Sequence, residues 1–236
     1  MFKARFLLVL LPLSFGVFAQ DVNPSVWTLH NGRYDLNERF YLHSEVHFRF
    51  TDGLATFQQF LFRPQLSFIQ NDHLIFSAGY TYIHNYPYGE ISIPDDAAEN
   101  NIWEEVIMDG KIGSIQFLHR IRVEHRWIDD LVENEGVWEK EGTLFTNRIR
   151  YRLTAQYALN EKWTLLIYDE FFAPLDLKTF EININQNWLF LGAKYQLNPA
   201  WSIQSGYQQQ YLSYGDQGTQ QNPTWMIVVN YRLERN

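Results

Sequence analysis

Residues 39–50 read RFYLHSEVHFRF, and their alternation decides the fold. Phe40, Leu42, Val46, Phe48 and Phe50 fall on one face, and Tyr41, His43, Glu45, His47 and Arg49 on the other. A period of two is the signature of a β-strand, because successive side chains point to opposite sides of the sheet. The same division recurs along the chain. In 115–129, Ile115, Phe117, Ile121, Val123 and Trp127 oppose Gln116, Arg120, Arg122, Glu124 and Arg126. In 144–159, Ile149, Tyr151, Leu153, Ala155 and Tyr157 oppose Arg148, Arg150, Arg152, Thr154 and Gln156. In 201–214, Trp201, Ile203, Tyr207 and Tyr211 oppose Ser202, Gln204, Gly206, Gln208 and Gln210. The stretch 225–233 sets Trp225, Ile227, Val229, Tyr231 and Leu233 against Asn230 and Arg232.

Eleven such segments cover the chain: 26–36, 39–50, 56–70, 73–85, 102–109, 115–129, 144–159, 162–172, 180–197, 201–214 and 225–233. No helical period competes with them. Their connections alternate in length. Tight turns at 36–38, 70–72, 110–113, 160–161 and 198–200 alternate with longer segments at 51–55, 86–101, 130–143, 173–179 and 215–224. Short turns on one rim and long loops on the other describe an antiparallel transmembrane β-barrel, with the long loops outside the cell. Single-chain bacterial barrels have an even number of strands. Ten or twelve are therefore expected, with the uncertain stretches at 183–187 and 23–27. Pro64 inside 56–70 cannot donate to a ladder, so a bulge is expected there.

The flanking sequence agrees. MFKARFLLVLLPLSFGVFAQ opens with Lys3 and Arg5, continues with an apolar run, and places Val17-Phe18-Ala19 where a signal peptidase cuts. Residues 1–19 read as a signal peptide, and 20–236 as one mature barrel domain. Cysteine is absent, which excludes a lipoprotein anchor and Cys–zinc sites. The aromatic fraction is 17%, and the net charge of −8 becomes −10 once Lys3 and Arg5 leave. An acidic chain is a poor ligand for nucleic acid. Trp103, Trp127 and Trp225 on the long-loop side, with Trp163 and Trp201 on the short-turn side, suggest aromatic girdles at two membrane interfaces.

Several short stretches together carry a family resemblance: Phe60-Leu61-Phe62-Arg63-Pro64, Gly79-Tyr80-Thr81-Tyr82, His119-Arg120-Ile121-Arg122-Val123-Glu124, Arg148-Ile149-Arg150-Tyr151-Arg152 and Tyr168-Asp169-Glu170-Phe171-Phe172. The chain resembles a bacterial domain-of-unknown-function family of short outer-membrane barrels. The resemblance implies the fold and the location, and it implies no activity. One departure is Asn187-Trp188, where the resemblance implies a basic residue after the Asn.

Function is then sought in the lumen. Arg120, Arg122 and Arg126 on one strand and Arg148, Arg150 and Arg152 on the next are expected to meet Glu45, Glu124 and Glu170, with Arg49, Arg63 and Arg232 on the same inner surface. Such a network either packs and stiffens a narrow barrel or makes a cationic constriction for small anions. Loop-mediated binding through 86–101 and 130–143 is another reading, and an outer-membrane lipid-modifying enzyme is a third. The enzyme reading lacks a motif joining Ser44, Ser77, Ser205 or Ser213 to His84, His119 or His125. His43, Glu45 and His47 share one strand face without an evident further metal ligand. No cofactor is expected. The expected partners are outer-membrane lipid, lipopolysaccharide and the barrel-assembly machinery.

Overall fold

The computed structural model describes residues 21–91, 93–179 and 183–234. The signal-peptide reading of 1–19 and the start of the 180–197 segment lie outside the described residues. The strands are β1 (Asp21–Val22), β2 (Ser25–Asp35), β3 (Phe40–Thr51), β4 (Thr56–Asn71), β5 (Leu74–Asn85), β6 (Ala97–Ile112), β7 (Ile115–Asn134), β8 (Val137–Ala158), β9 (Trp163–Pro174), β10 (Gln186–Gln196), β11 (Trp201–Ser213) and β12 (Thr219–Leu233). Consecutive strands from β2 to β12 pair antiparallel, and β12 pairs with β2 to close the ring. Among the described residues, no helix is long and apolar enough to cross a membrane.

The closed ring has eleven strands, not the ten or twelve expected from the even-number rule. An odd ring forces its first and last strands to run the same way, so the β2–β12 pair is parallel. β1 continues β2 along the same neighbour: Asp21 and Val22 pair with Gln220 and Gln221, and Ser25 with Thr224. Between them Pro24 comes level with Pro223 along the seam, and neither proline has an N–H to give.

Three other expectations change. Pro64 carries no bulge. It pairs with Ser44 on β3 in unbroken register, while the β4–β5 pairing simply omits Arg63 and Pro64 and resumes at Gln65. Register shifts on β4 lie instead at Gln58, the extra residue between the Arg49–Gln59 and Phe50–Phe57 pairs, and between Ile69 and Asn71 at the end that meets β5. The first turns the Gln58 amide inward to accept from Trp27 Nε1 at 2.9 Å. Second, residues 130–143 are not a loop. β7 and β8 run on, paired, to a tip at Glu135 and Gly136, both with positive φ as a two-residue hairpin turn requires. Both faces of that extension meet solvent, so the apolar alternation that marks a strand is missing from its sequence. Third, residues 219–224 and 97–101 are strand, which shortens the loops there.

The polarity of the barrel is inverted relative to a soluble one. Leu42, Phe62, Leu66, Ile102, Ile167, Leu191 and Ile203 stand on the outer wall, exposed. Arg122, Glu124, Glu170, Gln208 and Gln210 are almost wholly buried inside. Paired aromatics mark the outer wall near each rim: Trp127 with Phe145 at 5.1 Å on one, Trp163 with Tyr195 at 4.7 Å and Trp201 with Tyr231 at 4.5 Å on the other. Trp225 is also outward and half exposed.

Trp103 is the exception to the expected outward set. It is fully buried and points into the lumen, where its Nε1 donates to Thr81 at 2.9 Å and the Arg122 guanidinium lies 3.8 Å above its ring. Its indole lies over Gly79, where a Cβ would sit 2.3 Å from the ring. The tryptophan and the glycine are one packing unit. Ile102, Glu104 and Val106 take the outer face of β6, and Trp103 and Glu105 the inner.

Candidate functional site

Register explains the lumenal charge cluster. On adjacent β7 and β8, Arg120 faces Arg152 and Arg122 faces Arg150, like charges directly opposite. Such pairs repel unless carboxylates interleave. Two of the carboxylates come from the strands on either side and one from β7 itself. Glu105 of β6 is level with Arg122, Glu170 of β9 with Arg152, and Glu124 of β7 with Arg148.

The result is a continuous alternating chain. Arg148 Nη2 lies 2.5 Å from Glu124 Oε2, and Glu124 Oε1 accepts from Arg150 Nη1 at 2.8 Å. Arg150 Nη2 reaches Glu170 Oε1 at 2.7 Å, and the same oxygen takes Arg120 Nη2 at 2.5 Å. Arg120 Nε is 3.5 Å from Glu105 Oε2, which binds Arg122 Nη2 at 2.6 Å. Arg152 is the loosest member, 3.8 Å from Glu170 and nearly a third exposed. Two smaller pairs flank the chain. Arg63 Nη1 donates to Glu45 at 2.6 Å, and Arg126 grips Glu99 through Nε at 2.6 Å and Nη2 at 2.8 Å.

Arg49 stands apart. Among the described residues no carboxylate lies within ion-pair reach of it. Its guanidinium stacks 3.7 Å from the Trp27 ring, donates to Gln59 and lies 3.2 Å from His47 Nδ1. Arg232 sits at the short-turn rim, half exposed, with Asp35 at 2.8 Å, and does not join the central layer. Glu99 and Glu105 extend the network beyond the glutamates expected from the sequence. A β6 that starts at 102 puts Glu99 in a loop, and an outward Trp103 makes Glu105 outward with it. The period-two rule applied from Glu99 through Asn101 and Trp103 to Glu105 is the signal that finds them. In these middle layers eight arginines meet five glutamates, a surplus of three positive charges.

In its middle layers the opposite wall is neutral. β11 and β12 contribute Gln208, Gln210, Gln220, Asn222 and Thr224, all buried, beside an apolar cluster of Trp27, Leu29, Leu166, Tyr168, Phe190, Met226 and Val228. Phe190 stacks on Tyr168 at 4.9 Å and covers the facing pair Gly192 and Gly206, where a Cβ would come within 2.6 Å of its ring.

Between the walls lie two cavities. The loop-side vestibule, about 870 Å³, reaches up to Tyr86, Tyr88 and Ile91 of the 86–96 loop. That loop is tied over the mouth by Asp21, which accepts from the backbone N–H groups of Glu90 at 3.0 Å and Ile91 at 3.3 Å, and by Asn222 donating to the Tyr88 hydroxyl at 3.5 Å. The turn-side vestibule is about 540 Å³. Asn31, Glu45, Arg120, Arg152 and Gln204 line both, so this layer of side chains stands between the two vestibules.

Several of the described serines and histidines are bonded to other partners. On the outer wall His125 Nδ1 is 2.7 Å from Asn147 Oδ1 and its Nε2 3.3 Å from Glu104, but no serine completes the arrangement among the described hydrogen bonds. Ser77 is bonded to Ser67 at 2.8 Å and Ser205 to the Met226 carbonyl at 3.1 Å. His47 is held between Glu45 and Arg49. Among the described residues no group of three His, Cys, Asp or Glu has the geometry to hold a metal ion.

No curated protein matches the chain. The model of one family, described as a protein of unknown function (DUF2490), matches residues 25–222, and the chain belongs to that family.

Proposed function

We propose that this member of the DUF2490 family is an outer-membrane β-barrel whose lumen is a narrow passage preferring small anions. The observation that carries the reading is the pair of vestibules, one at each rim, separated only by the shared layer of Asn31, Glu45, Arg120, Arg152 and Gln204 and lined by a surplus of guanidinium groups. A cationic constriction lowers the barrier for anions and raises it for cations. The location is supported by the apolar outer wall, the paired aromatics near both rims and the signal-like N-terminus. Outer-membrane lipid and lipopolysaccharide then cover the wall, the assembly machinery inserts it, and the long-loop rim faces outward.

The test is single-channel recording in planar bilayers under a salt gradient. A small conductance with an anion-selective reversal potential is expected. A second reading is favoured by the 1% exposure of Glu124 and Glu170: the network is a packed strut and the barrel is closed. Silent bilayers from correctly folded protein would overturn the passage and leave the strut.

A further inference from the structure

We infer that the loop-side vestibule is a binding site for small organic monoanions that carry an apolar body, with carboxylates on an aromatic or short aliphatic frame as the chemical class. The inference rests on the reading of the lumen as open to solutes and goes beyond selectivity by charge.

Three observations converge on one patch. Arg49 is 9% exposed, has no carboxylate partner among the described residues, and lines the cavity. Beside it stands the neutral wall: Trp27 under the guanidinium, Trp188 5.4 Å from Trp27, then Leu29, Met226 and Val228. A guanidinium bordered by aromatic and aliphatic carbon suits a ligand with one charged end and one greasy end. Finally, the lining carries donors with no protein acceptor, namely Arg49 Nε, Trp188 Nε1 and Gln208 Nε2. Buried donors are rarely left unpaired, and an unpaired set of N–H groups asks for an acceptor-rich ligand.

The charge count selects a monoanion. The other arginines of the vestibule are committed to Glu45, Glu99, Glu124 and Glu170, which would repel a second negative charge at close range. Among the described arginines of the vestibule Arg49 is the one without a carboxylate partner, and a ligand carboxylate matches its guanidinium in charge and planar geometry.

The test uses the purified full chain in detergent micelles, titrated calorimetrically with 3-phenylpropanoate, against 3-phenylpropan-1-ol and acetate, each corrected for partition into empty micelles. The carboxylate with its ring is expected to bind about tenfold or more tightly than either comparator, because it alone uses both the charge-assisted contact and the apolar wall. Arg49→Gln should remove that advantage and leave the alcohol unchanged. Equal binding of acid and alcohol, or full retention of the advantage in Arg49→Gln, would overturn the site. If that variant does not fold, the wild-type comparison still decides, and Gln208→Leu should weaken the acid by a few fold. Conductance separates the two readings. Binding by a non-conducting barrel keeps the site and removes the passage, whereas a current that phenylpropanoate leaves unblocked, without binding in micelles, removes the site and keeps the passage.

Discussion

The two halves of the lumen solve the problem of a polar interior in opposite ways. From β6 to β9 the wall is built of full charges, each held by a partner on a neighbouring strand. From β10 through β12 to β2 it is built of amides and aromatics, several with unused donors. The contrast teaches that the charged half is specified by pairing and is intolerant, whereas the neutral half is specified by shape and is free to receive something else. Burying an ion costs far more than burying an amide, so only the first wall must be complete in itself.

The contrast is broken or sharpened by mutation. Glu170 binds Arg120 and Arg150 together. Glu170→Ala should therefore cost about 3–5 kcal/mol, measured by reversible denaturant unfolding in lipid, because it strands buried guanidinium groups. A loss under about 1 kcal/mol, of the size expected for an exposed pair, would show the charged wall to be wet and the distinction false. The outer surface of the same strands gives the next effect. Val123→Arg or Leu153→Arg should cost about 2–4 kcal/mol by the same assay if that surface meets lipid. Normal folding yields for both would remove the membrane from the picture.

On the neutral wall, Gln210 donates to Thr224 Oγ1 at 3.1 Å. Gln210→Leu should lose only about 0.5–1.5 kcal/mol, the worth of one hydrogen bond. Arg152→Gln should leave unfolding nearly unchanged, since its ion pair with Glu170 is long, yet move the reversal potential toward cations. The smallest effect lies on the projecting β7–β8 hairpin, beyond Trp127. Partial burial raises the Asp129 carboxyl, but the Lys140 ammonium and the Ala98 N–H outweigh it and hold the group below the usual aspartate range. A depressed folded-state pKa contributes stability that is present above the unfolded value and is lost as pH falls through the folded one. Protection factors of the hairpin amides, corrected for the intrinsic pH dependence of exchange, should thus fall only in acid, and Asp129→Asn should remove that fall.

Much of this was legible in residue order. Alternation in 39–50, 115–129 and 144–159 places the inner and outer faces of β3, β7 and β8, because each strand sets a largely apolar face against a largely polar one. It failed on β6, where Glu104 beside Glu105 and Ile102 beside Trp103 blur the parity, and one misplaced tryptophan carried a glutamate with it. It failed on the hairpin because a strand wet on both faces has no reason to alternate. The pairing partners of the arginines were not legible. They depend on register between strands, and a slip of one residue on β9 would have turned Glu170 outward. The parallel seam was hidden for the same reason: closure is a property of the ring, and no local window shows it.

That seam has a consequence for anyone who would re-engineer the chain. β2 starts at the loop rim and β12 ends at the turn rim, so the two sit on opposite faces of the ring. Circular permutation ordinarily succeeds because termini lie close together and a few residues can splice them. Here a splice from Leu233 back to Ser25 must travel the full height of the barrel. A route that leaves the lumen clear is a further strand laid between β12 and β2, antiparallel to both, which would convert the parallel joint into two ordinary ones.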